Sequence, residues 1–238
     1  MTAATSPLVE IAAVTKQYGA LRPLRIERLV VSAGDRVALA GLDLPAAETF
    51  VNLVTGATLP DSGHVRVFGR TTADITDSGD WLETLDRFGI VSDRAALLDP
   101  MTVVQNLALP FSLEIEPPPA NVREAATALA REVGLDEPLW DVRAGALDAF
   151  ARLRTRLARA LALNPLILLL EHPTATLGPD AALVLARDVR RVAEHRGMAV
   201  ISLTVDKAFA AAMGRVLTLE PGSGRLREPW FRGMGFSL

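Results

Sequence analysis

The chain of 238 residues has no cysteine, three histidines and one tyrosine. Without cysteine there are no disulfides, no thiol catalysis and no thiolate-bound metal, a composition that suits a reducing compartment. His64, His172 and His195 are too few for a histidine-built metal site, so no metal centre is expected. No run approaches the roughly 18 apolar residues that cross a bilayer as a helix. The N-terminal MTAATSPLVE lacks the charged-then-apolar order of a secretory signal. A soluble cytoplasmic protein is the expectation. Positive charge is not in excess either: 25 Lys+Arg face 28 Asp+Glu, a formal net charge of −3. No global field therefore recruits nucleic acid or anionic lipid. What is abundant is core material, since half the residues are apolar and only 5% are aromatic. That is enough for a large α/β domain.

The first 35 residues hold short alternating runs, Leu8-Val9-Glu10-Ile11 and Leu29-Val30-Val31, broken by Gly19, Pro23 and Gly34. They predict a small antiparallel β region. From Arg36 the pattern becomes strand, loop, helix: RVALA ends at Gly41, and Phe50, Leu53 and Val54 give residues 46–54 helical spacing. Strands are expected at His64–Phe68 and Phe88–Val91. Helical signals dominate the middle, about 95–160. Thr102 with Gln105 and Asn121 with Glu124 each fit a capping box, Gly134 is a natural helix stop, and 143–163 reads as one helix. LILLL at 166–170 is an unbroken apolar run, the mark of a strand buried on both faces. A helix over 180–194 and a strand over 199–204 complete a βαβ alternation, hence a mostly parallel sheet under helices.

Four stretches, in order, resemble the ATP-binding cassette (ABC) ATPases. VALAGLDLPAAETFVNLVTGATLPDSGHVRVFG (37–69) is similar to the Walker A strand, loop and helix with the strand that follows. MTVVQNLALP (101–110) is similar to the opening of the helical subdomain, RLRTRLARALALNP (152–165) to the helix after the signature motif, and LILLLEHPTATLGP (166–179) to Walker B. The likeness covers about 8–220. It implies a P-loop NTPase-like α/β fold over 1–238 as a single domain, with an N-terminal antiparallel region, a mostly parallel core sheet, a helical insertion at about 95–160 and a tail at 221–238.

The positions that handle phosphate depart from the family. A G-x-x-x-x-G-K-[ST] loop cradles phosphates with backbone N–H groups, neutralises them with Lys and holds Mg²⁺ with its hydroxyl. Here Gly41 is kept, but Ala46 replaces the second Gly, Ala47 the Lys and Glu48 the hydroxyl residue, with Thr49 next. Pro45 takes one N–H out of the cradle. One cation is lost, and Asp43 and Glu48 are gained. An unwanted unit-charge pair at about 4 Å costs roughly 4 kcal/mol at an effective dielectric near 20. Two would cancel a micromolar affinity of about 8 kcal/mol. Glu48 is expected in the first turn of the helix, filling the anion site from within.

Elsewhere, Glu171 stands at the Mg²⁺-associated Asp and His172 at the Glu that polarises water. The signature reads Leu147-Asp148-Ala149-Phe150-Ala151. Asp93 replaces the loop Gln and Val205 the switch His, and Gly178 stands at the D-loop Asp. Tyr18 keeps the place of the aromatic that stacks on adenine, though it also reads as a core aromatic. His172 reads as a hydrogen-bonded structural residue, and Arg152, Arg154, Arg156 and Arg159 as a solvated face or an ion-pair lattice. Trp230 and Phe231 are candidate partner contacts.

The expectation is a catalytically inactive, structural or regulatory ABC subunit that binds no cofactor. Its partners are a membrane permease, which holds it on the inner face of the membrane, and another ABC ATPase or a copy of itself. MTVVQNLALP looks most like subfamilies that handle lipids and lipoproteins. Two alternatives stand beside this: an active ATPase using ATP and Mg²⁺ with Glu171 on metal and His172 as base, and a soluble scaffold unrelated to transport.

Overall fold

A computed structural model describes residues 6–228. The chain runs β1 (Val9–Lys16), β2 (Leu24–Val31), β3 (Arg36–Ala40), α1 (Leu44–Val54), β4 (Ser62–Val67) and β5 (Arg70–Thr71). It continues through α2 (Ser78–Leu85), β6 (Phe88–Val91), α3 (Val103–Ala108), α4 (Ala120–Glu132) and α5 (Ala149–Ala160). It ends with β7 (Ile167–Glu171), α6 (Pro179–Arg196), β8 (Ala199–Leu203), α7 (Lys207–Met213), β9 (Arg215–Leu219) and β10 (Leu226–Arg227). Trp230 and Phe231 lie outside the described residues.

Two sheets result. The antiparallel sheet has the order β2-β1-β4-β5, so the N-terminal hairpin recruits the strand that follows α1. Its register shifts where β1 bulges at Ala13, and Gly63 lies opposite. A Cβ at Gly63 would stand 2.3 Å from the Ala13 carbonyl oxygen, which no side chain survives. The core sheet has the order β10-β9-β3-β8-β7-β6, parallel except for the β10–β9 edge pair. The expected α/β architecture is present. The tail expected from 221 is, at Leu226–Arg227, still part of this sheet.

The unbroken run of β7 has a direct cause. Ile167 and Leu169 pack with Leu39, Phe50, Leu53 and Ile201 on one face. Leu168 and Leu170 pack with Leu157, Leu161, Val189 and Val200 on the other. Each face is covered, so period two leaves no position for a polar residue. Helix α1 supplies one cover, burying Ala47, Phe50 and Val54 completely at helical spacing.

Three expected details are corrected. The residues read as one helix over 143–163 break into a short 3-10 turn at Ala144–Ala146 and α5, because the Asp148 side chain accepts from the Ala151 N–H and caps a new start. Asn121 caps nothing: α4 already begins at Ala120, after Pro119 has fixed an extended entry. The Thr102–Gln105 capping box forms with both of its hydrogen bonds. Finally, α1 starts at Leu44, two residues before the expected Ala46.

Candidate functional site

The loops after β3, β6, β7 and β8 gather at the carboxyl end of the parallel strands, where open α/β sheets place their sites. The loop after β3 is only Gly41 to Asp43. Asp43 is the N-cap of α1: its Oδ1 accepts the Ala46 N–H at 2.9 Å and its carbonyl accepts the Ala47 N–H at 2.8 Å. Pro45 has no N–H to offer. Of the donors a bound anion would use at this helix start, those of Ala46 and Ala47 are thus taken by one aspartate of the same chain. Thr49 is buried and gives its hydroxyl to the Pro45 carbonyl at 2.7 Å. Gly41 has φ +92, and a Cβ there would meet the Leu219 carbonyl oxygen at 3.0 Å, so strand packing alone requires glycine.

The expected role of Glu48 is corrected here. With Asp43 at the cap, no acidic residue lies in the first turn, and Glu48 sits a turn further along. Its carboxylate reaches outward instead. Arg94, in the loop after β6, donates Nη1 to Glu48 Oε1 at 2.8 Å and Nη2 to Glu171 Oε2 at 2.7 Å. One guanidinium thereby ties α1, this loop and the end of β7 together. The Glu171 side chain is 8% exposed, against 47% for Glu48 and 44% for Arg94. Sequence reasoning missed Arg94. The signal was present in the surplus of carboxylates, Asp43, Glu48 and Glu171, which called for a cation.

Asp93 points the other way, accepting from Arg156 Nη1 on α5 at 2.6 Å. The α5 arginines form a lattice around the same loop. Arg152 binds Asp99 and the Ala144 carbonyl, and Arg159 binds the carbonyls of Ala95 and Ala96. Burial, and after it the charge of Arg156, pulls Arg159 below the ordinary guanidinium range. Arg154 pairs with Asp188 and stacks 4.2 Å from the Phe150 ring centre. Leu147 is buried; Ala149 is exposed; Ala151 gives its N–H to Asp148. The start of α5 is therefore closed by a carboxylate just as α1 is.

His172 follows Glu171 with φ +44, in the left-handed region, its backbone N–H donating to the Leu203 carbonyl. The ring is buried, yet Nε2 has no hydrogen-bond partner among the described residues, unlike the bonded ring expected. It lines a small recess with Ser92, Asp93, Arg156, Glu171 and Thr176. Val205 is 71% exposed, and Asp206 beside it caps α7 by accepting from the Phe209 N–H. Tyr18 is half-buried against the antiparallel-sheet core. Burial raises its pKa, and the charge of Asp43 raises it further. Gly41, Glu48, Asp93, Glu171 and His172 thus lie around one sheet end, with Glu48 and Glu171 joined through Arg94 and Asp93 held by Arg156. Among the described residues no cluster of three or more His, Asp or Glu side chains is poised for a metal, and no helix is long and apolar enough to cross a membrane.

No protein-family model matches the chain. Over 222 residues it is 31% identical to the lipoprotein-releasing system ATP-binding protein LolD of Maricaulis maris, covering 90% of this chain and 95% of that one. It is 30% identical over 231 residues to the macrolide export ATP-binding/permease protein MacB of Syntrophobacter fumaroxidans, covering 93% of this chain but only 32% of that longer protein. Among solved structures, a dimeric ATP-binding cassette in a post-hydrolysis state with ADP and Pi superposes with a TM-score of 0.74 at 23% identity, over 95% of this chain and all of that one. At that identity the structural likeness speaks for the fold alone.

Proposed function

The chain belongs to the ABC family of transporter ATP-binding subunits, and from that membership we propose that it serves as a pseudo-ATPase, a structural or regulatory subunit of a transport system that does not turn over ATP. The observation that carries this reading is the Asp43 cap: α1 begins three residues after Gly41, the Ala46 and Ala47 N–H groups at its start are both donated to Asp43, and Pro45 has none to give. A phosphate cradle needs those groups free and a cation beside them. Ala47 supplies no cation, and Asp43 adds a negative charge where phosphate would lie. The metal–nucleotide complex that the family handles is therefore a poor match to these residues. The rival reading, with Glu171 on metal and His172 as base, loses support from the same geometry, because Arg94 already engages Glu171.

The partners follow from the relatives. MacB carries ATP-binding and permease parts in one protein, and LolD belongs to a lipoprotein-releasing system. By analogy this chain docks on a separate membrane permease at the inner face of the membrane, beside a second ATP-binding subunit or a copy of itself, and lipoproteins are the cargo class. The 1–238 stretch acts as one cassette with the 95–160 insertion as its permease-facing part.

Isothermal titration calorimetry with Mg²⁺ and ATP tests the reading. The natural chain gives no binding heat. A variant combining Asp43→Ser, Pro45→Ser, Ala46→Gly, Ala47→Lys and Glu48→Ser, which restores the loop pattern, binds. Low-micromolar binding by the natural chain overturns the proposal.

A further inference from the structure

We propose that the guanidinium of Arg94 is the resident cation of this site, seated between Glu48 and Glu171 where a divalent metal would otherwise bind. Removing it turns the carboxylate pair into a divalent-cation site. The inference deepens the pseudo-ATPase reading and rests on it only in taking the site to work without nucleotide.

Three observations carry it. Glu48 and Glu171 come from different elements, yet each places one oxygen within hydrogen-bonding distance of a nitrogen of the same planar group. Both carboxylates therefore face one small volume. Second, Glu171 is almost wholly buried, and among the described residues Arg94 gives its carboxylate its one side-chain hydrogen bond. A carboxylate taken from water requires a cation, and the chain brings its own. Third, the charges do not balance. Two carboxylates share a single positive charge, whereas a divalent ion would neutralise both. Glu48 also stands at the position of the metal-binding hydroxyl and Glu171 at that of the metal-associated Asp in the family pattern.

The chemistry of the replacement ion follows. Mg²⁺ and Mn²⁺ take one or two carboxylates and complete an octahedron with water. The half-exposed Glu48 is free to swing toward the fixed Glu171, and Arg94's own exposure marks an open path for the waters. While Arg94 is present, a cation would have to displace a two-pronged, charge-assisted contact. The natural chain therefore joins α1, the loop after β6 and β7 without metal. Through Asp93 and Arg156 the same loop is anchored to α5.

The test titrates Mn²⁺ alone, without nucleotide, into the natural chain, Arg94→Met and the Arg94→Met/Glu171→Gln double variant, reading free Mn²⁺ by electron paramagnetic resonance. The expected result is one Mn²⁺ bound by Arg94→Met at least about tenfold more tightly than by the natural chain, with the gain lost in the double variant. Equal binding by the natural chain and Arg94→Met, or none by a folded Arg94→Met, overturns the proposal. Circular dichroism establishes folding. Should Arg94→Met not fold, Arg94→Gln, which keeps a donor toward Glu171, is read by the same criteria. ATP binding by the natural chain would overturn the pseudo-ATPase reading and leave this nucleotide-free titration to be judged separately.

Discussion

Arg94 Nη2 stands 2.7 Å from Oε2 of Glu171, a carboxylate whose side chain is 92% shielded from water. Coulomb attraction between the two is partly screened because Arg94 is 44% exposed. The desolvation of Glu171 is not screened, so the cost of deleting the arginine exceeds the net worth of the pair. Arg94→Ala should lower unfolding free energy by about 1–3 kcal/mol. Replacing Glu171 as well, by Leu, should recover much of that loss, since no buried charge then remains unpaired. Urea unfolding of both variants measures this. Equal stability of Arg94→Ala and the natural chain would mean that Glu171 is solvated in solution.

The aspartate caps make a second, independent expectation. Asp43 and Asp148 each accept one backbone N–H, from Ala46 and Ala151, and each places negative charge at the positive end of a helix. Asp43→Ala and Asp148→Ala should each destabilise by about 1 kcal/mol, and Asp43→Asn by only a few tenths, because Asn caps nearly as well. Thermal melts compare the three. An Asp43→Ala chain as stable as the natural one would show that the N–H groups of α1 have another acceptor.

These two clusters also mark where the sequence stops being legible. The course of β7 could be read from LILLL because burial on both faces leaves one solution, and the Thr102–Gln105 box because its partners lie three residues apart. The family pattern located Gly41, Glu48, Glu171 and Asp93 around one site. The direction of Glu48 could not be read, since that depended on whether Asp43 or Glu48 would serve the helix start, and the two-residue shift of that start to Leu44 decides it. Arg94 was missed for a different reason. Its partners are 46 and 77 residues away, and only the fold brings α1, the loop after β6 and the end of β7 together. Asn121 failed as a cap because Pro119 had already set the entry to α4.

Gly41 separates a packing requirement from a phosphate requirement. Its φ of +92 and the 3.0 Å approach of the Leu219 carbonyl oxygen to a built Cβ make any side chain strained. Gly41→Ala should cost about 1–3 kcal/mol in stability. The loss should be the same with and without nucleotide in the cell. A neutral substitution would mean that the loop relaxes away from β9.

Tyr18 offers a direct reading of the field at the capped loop, because it is the chain's one tyrosine and its ionisation can be followed by ultraviolet absorbance without interference from another phenol. Burial raises its pKa above the ordinary value of about 10, and the carboxylate of Asp43 adds to the shift. A raised folded-state pKa means that the unfolded chain releases this proton first. The associated stability is whole below about pH 10 and falls away as pH rises through the folded value. Asp43→Asn should move the midpoint part of the way down, leaving it still above the ordinary value, because burial is the larger cause. The same shift bears on function. The aromatic that would carry adenine lies within the field of the carboxylate that caps the loop where phosphate would sit, so its titration reports on that loop. A Tyr18 midpoint at the ordinary value, unmoved by Asp43→Asn, would separate the ring from the loop.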